Sequence, residues 1–219
     1  MRRHNYKLWK YAIFSMLAVI SFMGFGLAAM STRLDVTATS VNQTPLTWDI
    51  GFNGTNTVTP LSTGSSSVTC GTPSITSASV TLGTTHLSAS GDGCRYSLEV
   101  ENAGDIGGKI SGVDTVVSSN SSGYTCTRVS SGRVLSCTKS GDESEILVFP
   151  SASSTITATT LGASTAASIA TTYVAPLINS TLDASDTSNI YLYVFLRNSP
   201  AATSFSGLRF TTTVSYTQN

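Results

Sequence analysis

Polar and apolar residues alternate with a period of two along much of this chain, a pattern that predicts strands. Leu34, Val36 and Ala38 alternate with polar neighbours, and Trp48, Ile50 and Phe52 repeat the pattern. Over residues 94–101 (CRYSLEVE), Cys94, Tyr96, Leu98 and Val100 fall on one face. Arg95, Ser97, Glu99 and Glu101 fall on the other, which predicts a strand with one wet side. Asn102-Ala103-Gly104-Asp105 reads as a turn, and residues 109–117 as the return strand. Residues 189–197 (NIYLYVFLR) are apolar on both faces, which predicts a central strand covered on both sides. The stretch LRFTTTVSYT turns Leu208, Phe210, Val214 and Tyr216 inward.

Further segments (SVTC, SITSASVTL, SEILVF, STITATTL) bring the expectation to about ten to twelve strands. Helical periodicity after residue 30 is confined to a weak candidate at 162–170. The fold class expected is therefore all-β, an antiparallel β-sandwich of jelly-roll or Ig-like type. No fixed-period repeat is visible, which argues against a solenoid or propeller. One domain over 31–219 is the reading, with a split near 140–150 as the alternative.

The first 30 residues have a different pattern. Arg2, Arg3, Lys7 and Lys10 precede an uncharged run over 11–30. At ~1.5 Å per residue that run is about 30 Å long, the thickness of a bilayer core. A basic flank stays on the cytoplasmic side, so the rest of the chain is expected outside. The segment reads as a signal peptide or as an N-terminal transmembrane anchor. Cleavage, where it occurs, is expected at Ala28, Ala29 and Met30, amid small residues; an uncleaved run would hold the membrane.

Composition sharpens the contrast. All four methionines lie in the leader, whereas Ser and Thr make up about a third of the chain beyond it. Past residue 30 there are eight bases against twelve acids, a formal charge of −4. Nucleic acid is not an expected partner, because phosphate neutralisation needs a basic face.

The four cysteines, Cys70, Cys94, Cys126 and Cys137, all lie beyond the leader, and an even count behind an export signal predicts two disulfides. A two-residue turn at Ser131-Gly132 would set Cys126 opposite Cys137, within bridging distance. Cys70–Cys94 is then the remaining pair. The hairpin closed in this way, near 124–139, is expected to project from the domain.

Candidate chemistry is sparse. His86 is the only histidine after the leader and lies in a turn-rich stretch. Glu99/Glu101 and Glu143/Glu145 are i, i+2 pairs that one strand would solvate together, whereas glycosidase carboxylates face each other across a cleft. Asp92 in SGDGC, and Asp183, Asp186 and Asn189 in LDASDTSN, read more readily as Asx turns than as calcium loops. No zinc spacing, cofactor motif or catalytic set is expected. Asn42, Asn53, Asn120 and Asn179 each begin an Asn-x-Ser/Thr triplet.

Four stretches together resemble secreted Gram-positive surface proteins of the TasA/camelysin type. They are LAAMSTRLDVTATS, LTWDIGF, SASGDGCRYSLEVENAGDIGGKI and LDASDTSNIYLYVFLRN. Asp92, Asn102, Gly104 and Ile106 match the family phrase; Ser90 stands where Pro is usual, and Gly107-Gly108 replace Asp-Ala. The four cysteines are not part of that pattern. The resemblance implies a jelly-roll-like sandwich whose copies join by lending an N-terminal strand to a neighbour's sheet edge. Leu34, Val36 and Ala38 would be the donated side chains. The function expected is an exported cell-surface or matrix structural protein that self-associates through sheet edges. The alternative is a membrane-tethered adhesion or ligand-binding module.

Overall fold

A computed structural model describes residues 46–62, 68–83, 86–120, 123–131, 133–141, 144–198, 203–204 and 208–218. The chain divides into residues 1–44 and a compact unit over 45–219, with no division near 140–150. The leader, the cleavage region Ala28–Met30, the domain boundary expected at residue 30 and the donor segment Leu34, Val36 and Ala38 lie outside the described residues.

The compact unit is all-β, with antiparallel sheets and a short helical stretch. In chain order the strands are β1 (Ile50–Leu61), β2 (Ser74–Ile75), β3 (Ser79–Leu82), β4 (His86–Leu87) and β5 (Gly93–Asn102). They continue with β6 (Gly108–Asn120), β7 (Tyr124–Val129), β8 (Val134–Lys139) and β9 (Glu145–Ser151). The last are β10 (Thr181–Leu182), β11 (Thr187–Arg197), β12 (Thr203–Ser204) and β13 (Leu208–Gln218). A six-stranded sheet runs β1-β5-β11-β9-β8-β7, a five-stranded sheet runs β10-β6-β13-β3-β2, and β4 pairs with β12.

Strand β11 carries the architecture. It lies between β5 and β9, and its two faces enter two separate apolar clusters. Ile190, Leu192, Val194 and Leu196 pack with Leu98, Val100 and Val148 of their own sheet and with Val80, Ile110, Phe210 and Val214 of the five-stranded sheet. Tyr193 and Phe195 face the other way, among Leu147, Phe149, Ile156, Leu161, Ile169 and Val174. The Tyr193 ring stacks on Phe149, its register partner, at 5.2 Å between centroids. The double-sided apolar pattern of 189–197 thus has its expected meaning.

What covers that second face is helical. Residues Ala158–Gly162 and Ala166–Ile169 are short α-turns, continued by a π-turn over Ala170–Val174 and a 3-10 turn over Ala175–Leu177. Thr157 caps the first by accepting from the Thr160 N–H; Thr165 and Ser168 form a reciprocal capping box on the second. The weak helical candidate at 162–170 is therefore the middle of a longer cover.

Two expectations are corrected. The turn after β5 does not return into a hairpin: β5 already has β1 and β11 as neighbours, so β6 crosses to the five-stranded sheet and pairs with β13. The cysteine hairpin does not project. Val134, Leu135, Ser136 and Cys137 are buried and β8 pairs with β9, which makes β7 the margin of the six-stranded sheet. Its register is the expected one, Val129 opposite Val134 and Cys126 opposite Cys137, with Ser130 and Ser131 at positive φ in the turn. Both disulfides, Cys126–Cys137 and Cys70–Cys94, are formed, as suits an oxidising, extracytoplasmic compartment.

In β13, Leu208, Phe210, Thr212 and Val214 are buried, whereas Thr213, Ser215 and Thr217 are exposed. On that outer side Asp114 and Val116 of β6 are exposed too, and the Thr81 and Thr211 hydroxyls meet at 3.0 Å.

Tyr96 and Tyr216 each bury a hydroxyl that has no partner among the described residues, and burial raises both phenols above their ordinary value. A folded-state pKa above the unfolded one gives stability that is complete below about pH 10 and drains as pH rises past it. Tyr96→Phe is therefore expected to unfold at higher pH in an alkaline titration monitored by circular dichroism. At pH 7 it should stay within about 1 kcal/mol of the parent, because no hydrogen bond is lost.

Candidate functional site

Three of the four stretches behind the family resemblance meet at one corner of the compact unit. Asn102, the last residue of β5, is fully buried at their centre. Its Nδ2 donates to the carbonyls of Ile106 at 2.9 Å, Asp183 at 3.0 Å and Leu182 at 3.3 Å, and its Oδ1 accepts from the Gly104 N–H at 3.1 Å. Its backbone N–H donates to Asp186 O, and its carbonyl accepts from the Ser185 N–H. One side chain thus fastens turn 102–106 to turn 182–186.

The chain entering β1 docks on the same turn. Ala103 N–H donates to Asp49 O at 2.8 Å, and Asp105 N–H to Thr47 O at 2.9 Å. The Asp105 carboxylate accepts from the Thr47 N–H at 3.1 Å and hydroxyl at 2.9 Å, and these two bonds hold its pKa below the usual carboxylate range. Gly104 permits the approach: a Cβ there would meet Thr47 O at 2.5 Å. At Gly108 a Cβ would meet Ile50 Cδ1 at 2.4 Å and Trp48 Cη2 at 2.8 Å. Leu46 and Trp48 remain 70% and 37% exposed. The corner thereby fixes where the chain preceding residue 46 leaves the compact unit.

Beside this corner run long sheet margins. Strand β6 pairs with β13 from end to end. On its other side it pairs with β10 only at Gly108 and Lys109, and Ile110 exchanges bonds with Asn179 and Ser180. From Ser111 to Asn120 that side has no strand partner among the described residues. β7, the margin of the other sheet, follows β6 in chain order, and the exposed pair Arg128–Asp114 links the two. β1 is a third margin, paired among the described strands with β5 alone, and it carries a register shift between Phe52 and Asn56.

The residues considered for chemistry are dispersed. His86 lies in β4, half-buried, and its backbone pairs with Thr69. Glu99 accepts from Asn53, and Glu145 is paired with Arg197 and accepts from Ser136 Oγ, whereas Glu143 lies outside the described residues. Asp92 is fully buried, and its carboxylate accepts from Ser88 N–H and Oγ, Ala89 N–H and Ser62 Oγ at 2.8–3.2 Å, a loop-closing Asx arrangement. Asp183 and Asp186 are exposed and share a turn, Asp186 N–H donating to Asp183 O. Among the described residues no three His, Cys, Asp or Glu converge as metal ligands.

Sequence reasoning missed the Thr47–Asp105 lock and the bonds from Asn102 to Leu182 and Asp183, 80 and 81 residues ahead. The one local signal was Asn with Gly two residues later, the spacing at which Oδ1 reaches a backbone N–H. Comparisons with protein-family models, curated proteins and solved structures find no match.

Proposed function

We propose that this chain is an exported structural subunit of a cell surface or extracellular matrix, built as a β-sandwich and assembling by strand addition. The segment bearing Leu34, Val36 and Ala38 is donated to the margin of β6 in a neighbouring copy. The observation that carries this reading is the ten-residue stretch of β6, 111–120, whose second side has no strand among the described residues. A bare margin of that length offers a row of backbone donors and acceptors, and pairing along it gives affinity while alternate side chains give register. The fixed exit of the chain at Thr47–Asp49 supports the reading, since it holds the root of the donated segment in place. The Arg128–Asp114 pair is no obstacle: an exposed ion pair contributes about 1 kcal/mol or less.

Deleting residues 30–43 is expected to leave a folded monomer by analytical ultracentrifugation at concentrations where the intact exported chain forms filaments. Filaments from the deleted chain would refute strand donation.

A further inference from the structure

On the wet face of β5 stands a cation that has no counter-charge among the described residues. Arg95 stands between Thr59 of β1 and Tyr193 of β11 in register. Its Nη1 donates to Ser154 O and its Nη2 to Thr59 Oγ1 at 3.2 Å, while its buried Nε–H has no acceptor among the described residues. No described carboxylate meets it. The other half-buried arginine in a sheet, Arg197, is paired with Glu145. Asp92 touches Ser62 on the same rim, but its carboxylate is taken up by the 88–92 loop. An arginine that is partly buried, held in place by neutral acceptors and open to the cleft keeps its charge available for an anion that arrives from outside.

The space before it suits a particular anion. Arg95 lines a cleft of about 350 Å³, the small end of the range for ligand clefts. The hydroxyls of Ser62, Thr155 and Thr157 lie along it, bonded to Asp92, Ser153 and Thr160, and their oxygens can still accept from a ligand's OH groups; Pro60 and Leu61 supply apolar surface. Its far wall is preformed, because Tyr193 Oη donates to Ser153 O at 2.8 Å and Arg95 itself holds Ser154. A planar cation matches a carboxylate in two-point contact. Hydroxyls interleaved with small apolar patches match the OH groups and CH faces of a sugar ring. We propose that this cleft binds an acidic sugar, with a uronate carboxylate on Arg95.

The test is titration calorimetry of the full-length chain in non-ionic detergent at low salt with trigalacturonate. Its methyl ester and a sulfated disaccharide serve as controls. Saturable binding to trigalacturonate is expected, weakened about tenfold or more by esterification and by Arg95→Gln, the scale of a charge-assisted contact. Because Arg95 also holds Ser154, Thr155→Glu is the companion variant: it leaves Arg95 in place, sets a carboxylate on the rim and should abolish binding. No binding to the parent chain, equal affinity for acid and ester, or undiminished binding by Thr155→Glu would each overturn the proposal. Binding of the sulfated sugar alone would overturn the uronate assignment.

Discussion

Replacing Arg197 with alanine should lower the folding free energy by about 3 kcal/mol, the lower end of the effect of stripping one partner from a buried ion pair, because this pair is largely but not fully buried. Arg197 ends β11, and its guanidinium pairs with Glu145 of β9 and donates through Nη1 to Ser164 O at 2.6 Å. Glu145 is 9% exposed and also accepts from Ser136 Oγ of β8 at 2.6 Å. One cation therefore joins β11, β9 and, through Ser164, the helical cover. Without it a carboxylate stays buried among apolar neighbours and the cover loses a tie. The double variant Arg197→Met/Glu145→Leu should recover most of the loss, because it removes both charges and keeps the volume. Urea denaturation of the three proteins provides the check, and a double variant as unstable as Arg197→Ala would show that the charges themselves are needed.

Asn102→Ala is expected to cost about 2–4 kcal/mol, since it leaves the Gly104 N–H and the Leu182 carbonyl buried without their partner and also releases the carbonyls of Ile106 and Asp183. Asn102→Asp discriminates between lost packing and lost donation. It keeps the shape and the Oδ1 acceptor, but it points a carboxylate oxygen at three carbonyls. It should therefore be at least as damaging as alanine at pH 7 and milder at acid pH, where a protonated carboxyl donates again. Thermal unfolding of both variants at pH 4 and pH 7 measures this, and an aspartate variant as stable as the parent would mean that the Nδ2 bonds contribute little.

How far the fold could be read depended on whether the cause of each element was local. A strand covered on both sides must be apolar at every position, so NIYLYVFLR declared its central place without reference to the rest of the chain. The same is true of CRYSLEVE, whose alternation survives as buried Cys94, Tyr96, Leu98 and Val100 against partly or fully exposed Arg95, Ser97, Glu99 and Glu101. The turn after β5 was legible as a turn and not as a crossing. Asn, Gly and Asp serve hairpins and sheet-to-sheet arches equally, and the choice rests on which neighbours β5 has already acquired. The helical cover was mostly hidden because its threonines have poor helix propensity and its turns are too short to show a period. It is held instead by burial of Leu161, Ile169 and Val174 over β11. At the corner, Asn102 and Gly104 were legible as turn residues, and Ile106 only through the family resemblance; the tie that Asn102 makes across the corner needs Leu182 and Asp183, 80 and 81 residues ahead. Arg95 was legible as a polar position on a wet face, but only the folded chain reveals that no described acid comes to it.

The two sheets differ in what lies on their backs. One is roofed by helix, and the other shows water the hydroxyls of Thr213, Ser215 and Thr217. Hydroxyls that already enjoy good solvation gain almost nothing by being pressed against another protein. Molecules crowded side by side would thus have little incentive to stack through this flank.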